Sequence, residues 1–374
     1  MFALEALEAK KGDALLLHYG KKNKPKLIVI DAGPSGVYNK TVKPRLEAIK
    51  QERSPNDPLP IRMVMVSHLD DDHINGIVQM FRQLEALHSK HKPLPFEILT
   101  LWHNAFNDLL GDDEQELAAS LKPAIAAASK ATFSPSLPVR RDTALVLASV
   151  NQGRELRDLA ARLRLKVNEG FRNLVMVPQG KPSVKYDLGD GLTFTVIGPH
   201  EERVRALQEE WDKQIKQKGV ARAAEFADTS VFNLSSITVL AACDKKTMLL
   251  TGDARGDFIV QGLKRAGLLK SGKIHVDLLK MPHHGSDNNV DTDFFRTVTA
   301  DHYVISGNGE HHNPEIATLQ MLSEARGNDK FTLYLTNEEK RLTRFFEDEK
   351  KRGKKYKVVF RKPKELGVLV SLTT

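Results

Sequence analysis

The sequence predicts an α/β fold with a helical insertion in its middle. Short apolar runs alternate with helically periodic stretches over residues 13–104, and again over 192–326. Between them, over 105–185, Ala-rich and charged helical segments take over, as in "DDEQELAASLKPAIAAASKA" and "NQGRELRDLAARLRLKVNEGF". No Pro/Gly/Ser-rich linker separates the parts. One domain over 1–374 is therefore the simpler organisation, and two separate domains the alternative.

The elements follow in order. "DALLLHY" (13–19) and "KLIVIDAG" (26–33) read as strands divided by a Lys/Gly/Asn/Pro turn. A polar helix-like segment spans 41–52, and "IRMVMVSH" (61–68) reads as a buried strand. "GIVQMFRQLEALHSK" has helical periodicity, and "FEILTLWHN" (96–104) is a further strand. In the insertion, "ELRDLAARLRL" puts Leu156, Leu159 and Leu163 on one helix face, which predicts a lid or flank beside the 68–73 loop. Strand character returns at 192–199, 235–243, 246–253, 276–285 and 301–309, with helical pieces at 201–217, 254–268 and 313–326. Residues 331–374 read as a basic C-terminal extension.

Composition excludes several classes. The chain of 374 residues is 41% hydrophobic and 28% charged, as ordinary globular proteins are. No segment approaches the roughly 18 uninterrupted apolar residues of a membrane span. The start lacks a basic stretch, an apolar stretch and a small-residue cleavage site, so the expected location is cytoplasmic, with no membrane partner. The single cysteine, Cys243, excludes a disulfide framework and a cysteine-based zinc site. Cys243 itself reads as a small core residue. The net charge is +8. Cations concentrate in "KKRGKKYK" (350–357), where Lys351, Arg352, Lys354 and Lys355 are candidates for contact with a nucleic-acid backbone. A solvated, solubilising face is the competing reading.

The densest chemistry lies in "VSHLDDDHINGI" (66–77). His68, Asp70, Asp71, Asp72 and His73 crowd into six positions directly after a buried strand. Carboxylates that close repel one another unless a positive charge joins them. A helix N-terminus would need one Asp, not three carboxylates with two imidazoles. This donor set suits Zn, Mn or another divalent ion, which would neutralise the carboxylates and hold the imidazoles neutral.

"SHLDDDHINGI" resembles the metallo-β-lactamase signature His-x-His-x-Asp-His, with Asp70 where most members carry a second His. That variant is similar to the nuclease-like domain of ComEC DNA-uptake proteins and their free-standing bacterial relatives. Further stretches agree in order: "IDAGPSG" (30–36), "NLSSITVL" with "MLLTGDA" (248–254), "KMPHHGSDN" (280–288) and "ISGNGEHHNPE" (305–315). The resemblance covers 1–104 and 186–330 and implies an αββα sandwich. It also implies two divalent ions. His68 and Asp70 would hold one, Asp72 and His73 the other, Asp253 would bridge them, and His283 or His284 would complete a site. Asp31 would orient a ligand histidine from behind. Asp70 makes the first position harder and more anionic, which leans towards Mn.

His103 ends a strand where some relatives place a third ligand; a buried histidine at a strand end is the other reading, and a supporting role behind the ligands lies between them. His312 could cap the following helix with Asn313, or contact substrate and donate a proton. Asp72 and His312 are thus the catalytic candidates beside the ions. Two cations about 3.5–4 Å apart lower the pKa of a shared water from near 16 towards neutrality. The reading that follows is a phosphodiesterase or nuclease acting on nucleic acid or a nucleotide. A hydrolase of lactones, thioesters or cyclic nucleotides competes with it. So does a regulated subunit of a larger system that docks a protein partner through 105–185.

Overall fold

A computed structural model describes residues 1–104, 141–206, 209 and 235–373, with the backbone alone over 141–151. The chain begins with β1 (Phe2–Leu7), β2 (Leu15–Tyr19) and β3 (Lys26–Ile30). Then come α1 (Lys43–Arg53), β4 (Leu59–Ile61), β5 (Met63–Met65), α2 (Asp71–His88), β6 (Phe96–Ile98), β7 (Thr100–Trp102), α3 (Arg141–Arg162) and β8 (Lys166–Val167). The second half runs β9 (Val184–Gly189), β10 (Leu192–Gly198), β11 (Thr238–Cys243), β12 (Lys246–Leu250), α4 (Gly256–Arg265), β13 (Ile274–Lys280), α5 (Thr292–Thr297) and β14 (Val298–Ile305). It closes with α6 (Ile316–Arg326), β15 (Thr332–Leu335), α7 (Lys340–Lys351), β16 (Lys357–Phe360) and β17 (Gly367–Ser371).

The strands form two large mixed sheets, ordered β17-β1-β2-β3-β5-β7-β8 and β16-β15-β14-β13-β12-β11-β10-β9. In the first, β3, β5, β7 and β8 are parallel neighbours. In the second, β12 to β16 are. Three apolar cores separate four layers. One joins α1, α2 and α3 to the first sheet through residues such as Leu46, Phe81 and Leu156. The second lies between the sheets, with Phe2, Met65, Trp102, Phe194 and Met248. The third joins the second sheet to α4, α5, α6 and α7 through Leu263, Phe295, Leu322 and Leu342. This is an αββα sandwich, the architecture expected from the sequence.

Three boundaries differ from the sequence reading. β1 is a fully buried strand, concealed in sequence by Glu5. Glu5 is buried because Arg45 donates to it at 2.7 Å and His18 Nε2 lies 3.3 Å away. Residues 331–374 are not an appendage: β15 and β16 extend the second sheet, and β17 pairs antiparallel with β1. The segment 105–185 is not insertion throughout. β8 pairs with β7, while Leu156 and Leu159 of α3 are buried in the first core. Residues 105–140, the first part of that segment, lie outside the described residues.

Among the described residues, no helix is long and apolar enough to cross a membrane.

Candidate metal centre

The site gathers at the C-terminal ends of parallel strands, where an α/β sheet leaves loops free to carry chemistry. The 66–70 loop follows β5 and leads into α2, which carries Asp72 and His73; Asp31 follows β3, Asp253 follows β12, and the His283–His284 turn follows β13. β2 runs antiparallel to β3 with Leu15 opposite Ile30, so Asp13, just before β2, reaches the same end. The backbone is strained there: Asp31, His283 and His284 have φ of 56°, 45° and 53°, a region that non-glycine residues rarely adopt. Gly12 permits the closest approach, since a Cβ there would overlap the Asp72 carbonyl.

Four imidazoles converge on one carboxylate. Asp253 Oδ1 lies 3.5 Å from His73 Nε2, and Asp253 Oδ2 lies 3.6 Å from His68 Nε2. The same Oδ2 lies 3.5 Å from Nε2 of both His283 and His284. Asp70 Oδ2 is 3.4 Å from His68 Nε2, and Asp72 Oδ2 is 3.8 Å from His284 Nε2. His73 and His284 bring their Nε2 atoms within 3.2 Å of each other.

The opposite ring nitrogens settle the tautomers. Ser67 donates to Asp31 through its N–H (2.8 Å) and its hydroxyl (2.6 Å). Its Oγ is therefore left to accept from His68 Nδ1 at 3.1 Å. His73 Nδ1 faces Asp31 Oδ2 at 2.9 Å. His283 Nδ1 faces Asn289 Oδ1 at 2.7 Å, and His284 Nδ1 faces the Ser306 carbonyl at 3.2 Å. Each Nδ1 meets an acceptor and carries the proton, so the neutral rings all turn an Nε2 lone pair inward.

Such convergence needs a positive charge. Burial alone would push the Asp253 carboxyl up, but the four imidazoles outweigh it and hold it well below the usual range. Burial pulls His73 and His284 down, yet Asp253 with Asp31 raises the first, and Asp253 with Asp13 raises the second to about 9. In the absence of a cation, protons would fill that role. His68 Nε2 and Asp253 Oδ1 are buried without a hydrogen-bond partner, the state of a donor atom reserved for an ion. The residues fit divalent cations.

Asp31, His68, Asp70, Asp72, His73, Asp253, His283 and His284 thus come together, and both histidines of the 283–284 pair face Asp253. His103 and His312 do not join the donor set. His103 is buried, with its backbone N–H donating to Asn168 Oδ1 and its ring Nδ1 without a hydrogen-bond partner. His312 is exposed on the turn at 310–312, whose chain continues to Pro314 and Glu315 against the 283–285 turn. α3 flanks the centre: Gln152 donates to Asp71 Oδ1 at 2.8 Å, and Gly153 faces the side chain of Leu69.

Two residues at the centre carried no signal in the sequence reading. Asp13 and Lys280 form an ion pair at 2.5 Å with both side chains buried. Asp13, His73, Asp253 and His284 also make up a compact group of possible donor atoms. In sequence, Asp13 after Gly12 looks like an ordinary turn before a strand. Lys280 was visible only as a charged residue inside the apolar run "VDLLKMP".

Of the tail cations, Lys354 is engaged in the fold, donating to the carbonyls of Ser323 (2.9 Å) and Gly327 (3.2 Å) at the end of α6. Lys351 pairs with Asp348, and Arg352 with Glu349. Lys355 is exposed.

Comparison with known proteins adds little beyond this geometry. No family model matches the chain. A stretch of 75 residues is 39% identical to human microtubule-associated protein 1A, covering 18% of this chain and 3% of that protein. The rat protein of the same name is 37% identical over 75 residues. The chain therefore spans only a few per cent of the curated relatives it matches. Among solved structures, human tRNase Z, short form, aligns over 100% of both chains with 10% identity and a TM-score of 0.38. A putative metal-dependent hydrolase from Parabacteroides distasonis aligns over 90% of this chain and 98% of its own, with 9% identity and a TM-score of 0.34.

Proposed function

We propose that this protein is a metal-dependent hydrolase of phosphodiesters, with nucleic acid or a nucleotide as substrate. The observation that carries the reading is the turning of four Nε2 atoms towards Asp253, with Asp70 and Asp72 beside them. Two divalent ions bound there supply Lewis acidity and bring the pKa of water towards neutrality. His68, Asp70 and His283 would hold one ion, His73, Asp72 and His284 the other, and Asp253 would face both.

The protein's own groups shape access. The side chains of Asp70, Asp72 and His283 are 22%, 21% and 28% exposed, whereas those of His73 and His284 are 0% and 2% exposed. Substrate would therefore approach over Asp70, Asp72 and His283. Asp72 would orient the attacking water by accepting a hydrogen bond. His312, exposed on the adjoining turn, would donate a proton to the departing oxygen. The net charge of +8 suits a polyanion. Asp70, a carboxylate where a histidine would make a softer position, leans towards Mn over zinc.

The test is hydrolysis of bis-p-nitrophenyl phosphate, a polynucleotide and a simple lactone in Mn²⁺, Mg²⁺ and Zn²⁺. Phosphodiester cleavage that stops with chelator and in Asp72→Ala is expected. Lactone cleavage with both phosphodiesters untouched would defeat the reading.

A further inference from the structure

The backs of the four imidazoles fall into two classes. His73 leans directly on a carboxylate, and His284 on a carbonyl with a carboxylate close beside it. Asp31 Oδ2 lies 2.9 Å from His73 Nδ1, and Asp13 Oδ1 lies 3.4 Å from His284 Nδ1 beside the Ser306 carbonyl. His68 and His283 lean on neutral oxygens, Ser67 Oγ at 3.1 Å and Asn289 Oδ1 at 2.7 Å. His68 reaches Asp31 only through the Ser67 hydroxyl. The same division runs through the donor side, since His73 and His284 are the pair with Nε2 atoms 3.2 Å apart.

We infer that the centre holds its two cations with unequal affinity, the His73–His284–Asp72 position being the tighter, and that Asp13 is a positioning residue that sets this difference. The inference rests on the metal reading above. A carboxylate behind an imidazole fixes the ring and raises its basicity, and such partners are typically worth about 10–100-fold in metal affinity. A neutral oxygen fixes the ring but adds less basicity. Burial acts in the same direction at one histidine of each set, since His284 is 2% exposed and His283 28%, whereas Asp70 and Asp72 are about equally exposed and His68 and His73 are both buried.

Asp13 is held for this role rather than for ligation. Its Oδ2 is taken by Lys280 Nζ at 2.5 Å, and Lys280 also donates to the Met281 carbonyl at 3.1 Å. Its Oδ1 makes no hydrogen bond but lies 3.4 Å from the ring nitrogen of His284 that faces away from Asp253, on the far side of the ring from the donor atoms. The main chain is tied as well: the Asp13 N–H donates to the Asp72 carbonyl (3.3 Å), and its carbonyl accepts from Gly33 (2.7 Å). The residue therefore links β2, the start of α2 and the 283–284 turn.

The experiment is titration of the chelator-stripped protein with Mn²⁺ alone, with free ion counted by its paramagnetic resonance signal. Two dissociation constants at least about 10-fold apart are expected. Asp13→Asn should weaken the tighter by about 10–100-fold and leave the weaker in place. Because Asn would strand the buried Lys280, the double variant Asp13→Asn/Lys280→Met is titrated in parallel and should behave the same way. General damage would weaken both constants. Two equal constants in the parent, or variants that weaken both positions or only the looser one, would overturn the inference while leaving the metal reading intact. Absence of any bound Mn²⁺ in the parent would overturn both.

Discussion

Asp31 and His73 meet at 2.9 Å, and this contact ties the end of β3 to the first turn of α2. The Ala32 N–H donates to the His73 carbonyl at 3.0 Å, and the Gly76 N–H to the Gly33 carbonyl at 2.9 Å. The helix that carries Asp72 and His73 is therefore seated on the strand that carries Asp31.

Asp31→Ala should cost stability as well as metal. It leaves the Ser67 N–H, the Ser67 hydroxyl and His73 Nδ1 without an acceptor in a buried place. Stranded buried donors cost about 1–3 kcal/mol each, so a loss of about 2–4 kcal/mol is expected after local relaxation. Urea denaturation in chelator measures it free of metal linkage. A variant as stable as the parent would show that Asp31 does not organise this corner.

His103 gives a pH dependence. Burial, helped by Arg157, holds its imidazole down at about 4, against 6.5 when unfolded. Its folded pKa is depressed, so the stability it contributes is present above the unfolded value and is lost as pH falls towards the folded one. Between pH 7.5 and 5.5 the loss is about 1.4 kcal/mol. Parent and His103→Gln are compared by denaturation in chelator at both values. The Gln variant should lose less stability on acidification by about that amount; identical losses would rule the contribution out.

The tail bears on substrate. Lys350, Lys351, Arg352 and Lys355 can be replaced by Gln while Lys354, which caps α6, is kept. If they touch a nucleic-acid backbone, the parent's binding should weaken steeply with salt, each contact contributing a log–log slope of about −0.9 on duplex DNA. The variant should show a flatter slope and unchanged cleavage of bis-p-nitrophenyl phosphate. Equal slopes would remove the tail from substrate binding.

The charged loop was legible as a cluster because His68 to His73 are neighbours in the chain and too highly charged for a mere helix cap. Asp253, His283 and His284 were legible through the order of short motifs. The Asp13–Lys280 pair was not, because each residue alone has an ordinary setting and only the folding of β2 against β3 brings Asp13 to the end of β13. β1 was hidden by a charge that Arg45 and His18 receive. β15, β16 and β17 were hidden by the lysines and arginines between them, which drew attention to charge and away from the short apolar stretches "TLYL", "KVVF" and "GVLVS". His103, read as a third ligand, a supporting residue or a buried strand-end histidine, and His312, read as a helix cap or a proton donor, both stand outside the donor set.

The most direct test of a dinuclear centre is metal content, measured by mass spectrometry on protein loaded with Mn²⁺ or Zn²⁺ and dialysed free of excess. Two ions per chain are expected in the parent, falling to one or none in Asp253→Ala with its circular dichroism unchanged. A parent that retains no ion, or an Asp253→Ala variant that retains as much as the parent, would contradict the centre.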